Sequence, residues 1–161
     1  MLATSLLVAM AIAPEPVTSE IAYDRVSGEV RATATLHSGD DRLEIGCTPF
    51  EVRRLWVRLR THRWLREGNV FNGNSVLVFR FDERPPIRMM WSVRERAALL
   101  VGIGRVERFV RRVVDSRQLI VRAQGPEGRR YDITFSTEGA RDAIGYALEA
   151  CGNSLRRRLG S

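Results

Sequence analysis

Lysine is absent from this chain: all 26 basic side chains are arginine, and only two histidines and two cysteines occur in 161 residues. Two cysteines are too few for a small cysteine-stapled scaffold, and neither has a second soft ligand at zinc-site spacing, so no metal site is expected. With only His37 and His62 as imidazole bases, and no G-x-S-x-G or S-x-x-K run, no recognisable nucleophile setting exists and no catalytic residue is assigned. Gly102-Ile103-Gly104 lacks the third glycine of a nucleotide fingerprint and reads as a strand-to-helix turn, so no cofactor is expected. Internal repeats and long low-complexity tracts are missing too.

The acidic count is 19, leaving a net charge of +7. Exclusive use of arginine is what a GC-rich codon composition produces. Whatever its origin, guanidinium groups stack on aromatic rings and grip carboxylate or phosphate with two parallel hydrogen bonds, so acidic partners are expected. The Asp40-Asp41 pair reads as a turn.

At 44% hydrophobic composition the chain is long enough for one domain with its own core. It opens with the uncharged run Leu2 to Ala13, about a dozen apolar residues, the length of a signal-peptide core and too short for a bilayer span. No Lys or Arg precedes that run; an upstream start would supply them. Ala9-Met10-Ala11 and Ala11-Ile12-Ala13 offer cleavage sites, the second hindered by Pro14. The alternative is an N-terminal core strand or helix. A leader followed by an even cysteine count points to export and one disulfide, Cys47 to Cys151, formed outside the reducing cytoplasm; a free buried pair is the alternative. The expected organisation is a signal peptide over 1–13, a spacer and entry segment over 14–28, a single domain over 29–152 and a basic tail over 153–161.

From Glu29 the pattern is mostly period two. Val30, Ala32, Ala34 and Leu36 alternate with polar residues, and Leu43, Ile45 and Cys47 follow the Ser38-Gly39-Asp40-Asp41 turn, predicting a hairpin with one buried face. Further strands are predicted at Leu55 to Leu59, Ser75 to Asp82, Ile87 to Ser92, Ala97 to Val101, Gln118 to Ala123 and Arg130 to Phe135. The period changes at Val106, Phe109, Val110, Val113 and Val114, one side of a helix whose other side carries Arg105, Arg108, Arg111 and Arg112 as a solvated face. A last helix is predicted after Ser136-Thr137 as N-caps, with Ala140, Ala143, Ile144, Ala147, Leu148 and Cys151 on one stripe and Gly152 as the stop. The expected fold is α+β: a mainly antiparallel sheet of about seven or eight short strands with two amphipathic helices, the C-terminal one docked on the sheet.

The succession of Leu43 to Cys47, then SVLVFRFD, then Trp91, then the Leu119 to Phe135 hairpin and TFSTEGARDAIGYALEAC resembles small periplasmic proteins associated with type VI secretion clusters and their uncharacterised exported relatives. The matching motifs are Cys47 after an early strand, Arg80-Phe81-Asp82, Trp91, the helix entry Thr134, Phe135 and Gly139, and the final Cys151. The resemblance spans about Leu43 to Cys151 and implies a periplasmic accessory or binding role without catalysis. This chain lacks the cysteine pair that such proteins carry near the mature N-terminus.

Alternation that buries Leu55, Val57 and Leu59 sends Arg54, Trp56, Arg58 and Arg60 to the opposite face, with Trp64 following between Arg63 and Arg66. Arginine beside tryptophan is a candidate surface for an anionic or carbohydrate partner; the competing reading covers Trp56 with another element. Arg156, Arg157 and Arg158 in the tail are candidate anionic contacts, or a solvated terminus. These features lead to an exported, non-enzymatic binding or accessory protein whose partner is an envelope or secretion-machinery protein or an anionic polymer. Two alternatives stand beside it: a cytosolic nucleic-acid-binding domain, and a hydrolase with a dispersed site.

Overall fold

The computed structural model describes residues 15–48, 54–68 and 73–152. The leader and the tail arginines Arg156, Arg157 and Arg158 lie outside the described residues, as does the side chain of Arg54.

Strands β1 (Thr18–Tyr23), β2 (Val30–Ser38), β3 (Asp41–Thr48), β4 (Arg54–Arg60), β5 (Asn74–Phe81), β6 (Ile87–Arg94) and β7 (Ala97–Val101) precede helix α1 (Ile103–Val114). After it come β8 (Gln118–Gln124), β9 (Arg130–Ser136) and helix α2 (Ala140–Ala150). The strands form one sheet in the order β1-β2-β3-β4-β7-β6-β5-β8-β9. Every neighbouring pair is antiparallel, so the α+β class follows.

Nine strands among the described residues correct the expectation of seven or eight. The addition is β1, which falls in the segment expected to be spacer and entry. Its sequence, TSEIAY, lies at the sheet edge with only Ile21 partly buried, so no apolar alternation betrays it. Ile21 pairs with Ala32 and thereby shares the inner face.

Period-two alternation places Ala32, Ala34, Leu36, Leu43, Ile45, Leu55, Val57, Leu59, Phe79, Phe81, Trp91, Leu100, Val121 and Phe135 in one continuous core. Each large aliphatic side chain buried there contributes about 1.5–3 kcal/mol relative to leaving it in water. The sheet curls around this face, so that β2 passes within 8 Å of β9 although the two are not hydrogen-bonded. α1 closes one half. Its Phe109 meets Phe79, Trp91 and Phe81 edge-on at centroid distances of 5.1, 5.3 and 5.7 Å, and Phe79 stacks on Trp91 at 5.0 Å.

α2 comes close to β1, β2 and β3 and buries Ala140, Ile144, Gly145, Ala147 and Leu148. Cys47, on the inner face of β3, is bonded to Cys151 at the C-cap of α2, with Cα atoms 6.3 Å apart. Closing a loop of 104 residues this way stabilises the fold by about 4–5 kcal/mol if the effect is chain entropy in the unfolded state. The helix entry departs from expectation. The N-cap is Gly139 in the left-handed region, while Thr137 is buried and donates its hydroxyl to the Ser116 carbonyl, tying the helix entry to the end of α1.

Within the Arg80-Phe81-Asp82 motif the two charged residues do not pair with one another: Asp82 fixes a neighbouring strand. Its backbone is left-handed, with φ 51°, and its Oδ1 accepts the amides of Arg117 and Gln118 at 2.8 and 2.9 Å, fixing where β8 starts beside β5. Arg80 turns instead to Glu83.

Candidate binding surface

On β4 the alternation runs as expected, with Leu55, Val57 and Leu59 buried and Trp56, Arg58 and Arg60 on the outer face. Trp56 lies across Gly46 of β3, its register partner; a Cβ on residue 46 would fall 2.3 Å from ring atom Cζ2. Glycine there is what lets the indole approach the β3 backbone this closely. The Arg58 guanidinium sits 5.1 Å from the centroid of the Trp56 ring. It also donates through Nε to Glu44 at 2.5 Å, and Arg60 reaches the other oxygen of the same carboxylate at 3.5 Å. One carboxylate therefore serves two guanidinium groups, and the ridge keeps a net positive charge. Glu44 and Gly46 could have been found by placing β3 beside β4 in register.

Trp64 belongs to a different place. The strap formed by residues 61–68 leaves β4 and crosses the end of the sheet, held by the amides of Thr61, Leu65 and Arg66 donating to the carbonyls of Arg96, Glu95 and Gln124. Leu65 is buried, so its neighbours Trp64 and Arg66 point outward. Trp64 is half exposed and carries Arg96 at 5.4 Å. With Arg63, Pro126, Arg129 and Tyr131 it lines a cleft of 410 Å³. Arg63 lies 5.0 Å from the centroid of the Tyr131 ring, and burial pushes the Tyr131 phenol above its ordinary value.

Beyond the strap, on the outer face, Arg66, Arg88, Arg122 and Arg130 surround a floor containing Val76 and Val78 in a cleft of 420 Å³. The row Arg88, Val78, Arg122 and Asp132 follows from the registers of β6, β5, β8 and β9. Arg122 grips Asp132 with two bonds of 2.7 Å, which holds the Asp132 carboxyl below the usual carboxylate range and raises the guanidinium in turn. Among the described residues Arg66, Arg88 and Arg130 have no carboxylate within ion-pair distance. No pattern local to the chain announces this cleft, because four separate strands and the strap build it.

The two histidines have different surroundings. His37 Nε2 lies 3.0 Å from Thr18 Oγ1 in an exposed cross-strand contact. His62 is engaged at both nitrogens: Nδ1 lies 2.9 Å from Asp41 Oδ1, and Nε2 accepts from Arg63 Nε at 3.0 Å. Asp41 is itself buried and also accepts the His62 amide at 2.8 Å, so the second half of the acidic turn is an internal anchor for the strap. No group of three or more His, Cys, Asp or Glu side chains among the described residues could hold a metal ion. No helix among them is long and apolar enough to cross a membrane.

Comparisons of the chain with protein-family models, with curated proteins and with solved structures find no match.

Proposed function

We propose that this is an exported, non-enzymatic binding or accessory protein of the periplasm or cell envelope, contacting an anionic partner through arginine and tryptophan side chains. The observation that carries the reading is the Cys47–Cys151 bond. Disulfides persist in oxidising compartments and are rare in a reducing cytosol. The apolar run before Pro14 supports the same compartment, as does the resemblance to exported type VI secretion-associated proteins.

The anionic partner is supported by the outer face. Arg58, Arg60, Arg66, Arg88 and Arg130 outnumber the carboxylates set beside them, and forked guanidinium donors suit carboxylate or phosphate. Trp56 holds Arg58 in place on the ridge, and the half-exposed Trp64 adds an aromatic surface beside Arg63 and Arg129. The terminal helix, clamped to the β1–β3 face by its disulfide, serves in this reading as the stabilising element of an envelope protein.

Fractionation of the native cells tests the compartment. The reading expects the protein in the envelope or periplasmic fraction with a new N-terminus close to Ala13 and a mass two hydrogens below the reduced chain. Recovery from the cytosol with Met1 intact and both thiols free contradicts it.

A further inference from the structure

The free flank of β6 borders a second arginine cluster, which shares Arg88 alone with the outer-face cleft. Ser92 to Arg94 pair with β7, but β7 ends at Val101 and the chain turns into α1, leaving Ile87 to Trp91 without a strand on that side. Arg105 of α1 takes over one of the orphaned groups by donating to the Met90 carbonyl.

Spacing of three and four puts Arg105, Arg108 and Arg112 on the side of α1 that borders β6. Together with Arg88 they line a cleft of 370 Å³ whose remaining walls are Ile87, Met89, Met90 and Phe109. None of the lining residues is acidic. Arg88, Arg108 and Arg112 have no ion pair among the described residues. Arg105 stands in the first turn of its helix, the end where the backbone dipole disfavours a cation, and no acidic side chain accompanies it there. Four guanidinium groups around one cleft repel one another until an anion enters.

We propose that this cleft binds a polyvalent phosphate group, an inference that rests on the anionic-partner reading above and assigns that partner's chemistry. A carboxylate offers two oxygens and one charge, too little for four forked donors, whereas a phosphate or diphosphate offers more of both. The methionine and isoleucine walls give the carrier's less polar part a surface to rest on. The same chemistry is supplied by a lipid headgroup that ends in a phosphomonoester or by a free polyphosphate.

Calorimetric titration with inorganic pyrophosphate and co-sedimentation with phosphatidylcholine vesicles containing phosphatidic acid, whose headgroup is a phosphomonoester, separate these sources. The variant is Arg108→Gln with Arg112→Gln, both exposed, leaving Arg105 on its carbonyl; circular dichroism verifies its fold. Arg60→Gln is the control outside the cleft. Loss of a charge-assisted contact weakens binding about tenfold per guanidinium. Pyrophosphate binding that falls in the double variant and survives in the control supports a free phosphate ligand. Vesicle binding without pyrophosphate binding, lost in the same variant, supports a lipid headgroup. No binding to either probe, or binding that the double variant leaves unchanged, overturns the site. A cytosolic protein with free thiols that still binds pyrophosphate would overturn the export reading and leave this site standing.

Discussion

The two ends of the inner sheet face are closed in opposite ways. Over β5 and β6, α1 brings Phe109 into a cluster with Phe79, Phe81 and Trp91, and no covalent tie holds it. Over β1 to β3, α2 buries three small residues, Ala140, Gly145 and Ala147, beside Ile144 and Leu148, and the buried face of the sheet there includes Ala32 and Ala34. Small residues allow close approach but remove little apolar area from water. There the Cys47–Cys151 bond adds what packing area does not. A helix with a large aromatic anchor stays without a crosslink, and a helix whose buried residues are mostly alanine and glycine is tied down.

Phe109→Ala tests the aromatic end and should have the largest effect, a loss of about 3–5 kcal/mol in urea denaturation, because the cavity would open among three other rings. Replacing both cysteines by alanine should cost about 2–5 kcal/mol, with the chain-entropy value at the upper end and structure retained in the unfolded chain lowering it. Hydrogen exchange should then quicken in α2 and β1 while the amides of α1 keep their protection. Equal quickening in both helices would dissolve the comparison.

Asp82→Ala removes the carboxylate that caps two amides at the start of β8 and should cost about 1–3 kcal/mol, measured by the same denaturation. Asp82→Asn, which tolerates the left-handed backbone and keeps an acceptor oxygen, should cost less. Smallest is the outer-face pair. In an NMR titration the Asp132 carboxyl should titrate below the usual value of about 3.9, because the Arg122 bonds favour its charged form, and should move back toward that value in Arg122→Gln. Its contribution is present above that usual value and is lost as pH falls through the lowered one. Salt should weaken it, because both groups are exposed.

Much of this architecture is legible in the sequence because alternation and helical spacing report burial directly. β2 with β3 and β8 with β9 are consecutive hairpins whose turns, Ser38 to Asp41 and Gly125 to Gly128, are written in turn residues. The cysteine pair is legible because both residues fall on apolar faces. What escapes is whatever depends on partners distant along the chain. The β4–β7 and β5–β8 pairings, which place Trp56 beside Val101 and Arg80 beside Ile120, have no local signature. Neither does the burial of Asp41, which looks like turn polarity until the strap brings His62 onto it. The helix starts two residues later than its cap residues suggest: the Thr137 carbonyl accepts the Ala140 amide in a turn that ends at Gly139, and the Thr137 hydroxyl donates to the Ser116 carbonyl of a segment distant in sequence. Arg58 and Arg60 look unpaired along β4, and only the neighbouring strand supplies Glu44.

The central claim, that a sulfur bridge ties α2 to β3 in the working protein, is tested most directly by trapping thiols at harvest. Native cells are quenched in acid with an alkylating reagent, and the protein is digested without reductant. A crosslinked peptide pair containing Cys47 and Cys151, with neither sulfur alkylated, is the predicted result. Quantitative alkylation of both cysteines before any reduction would contradict it.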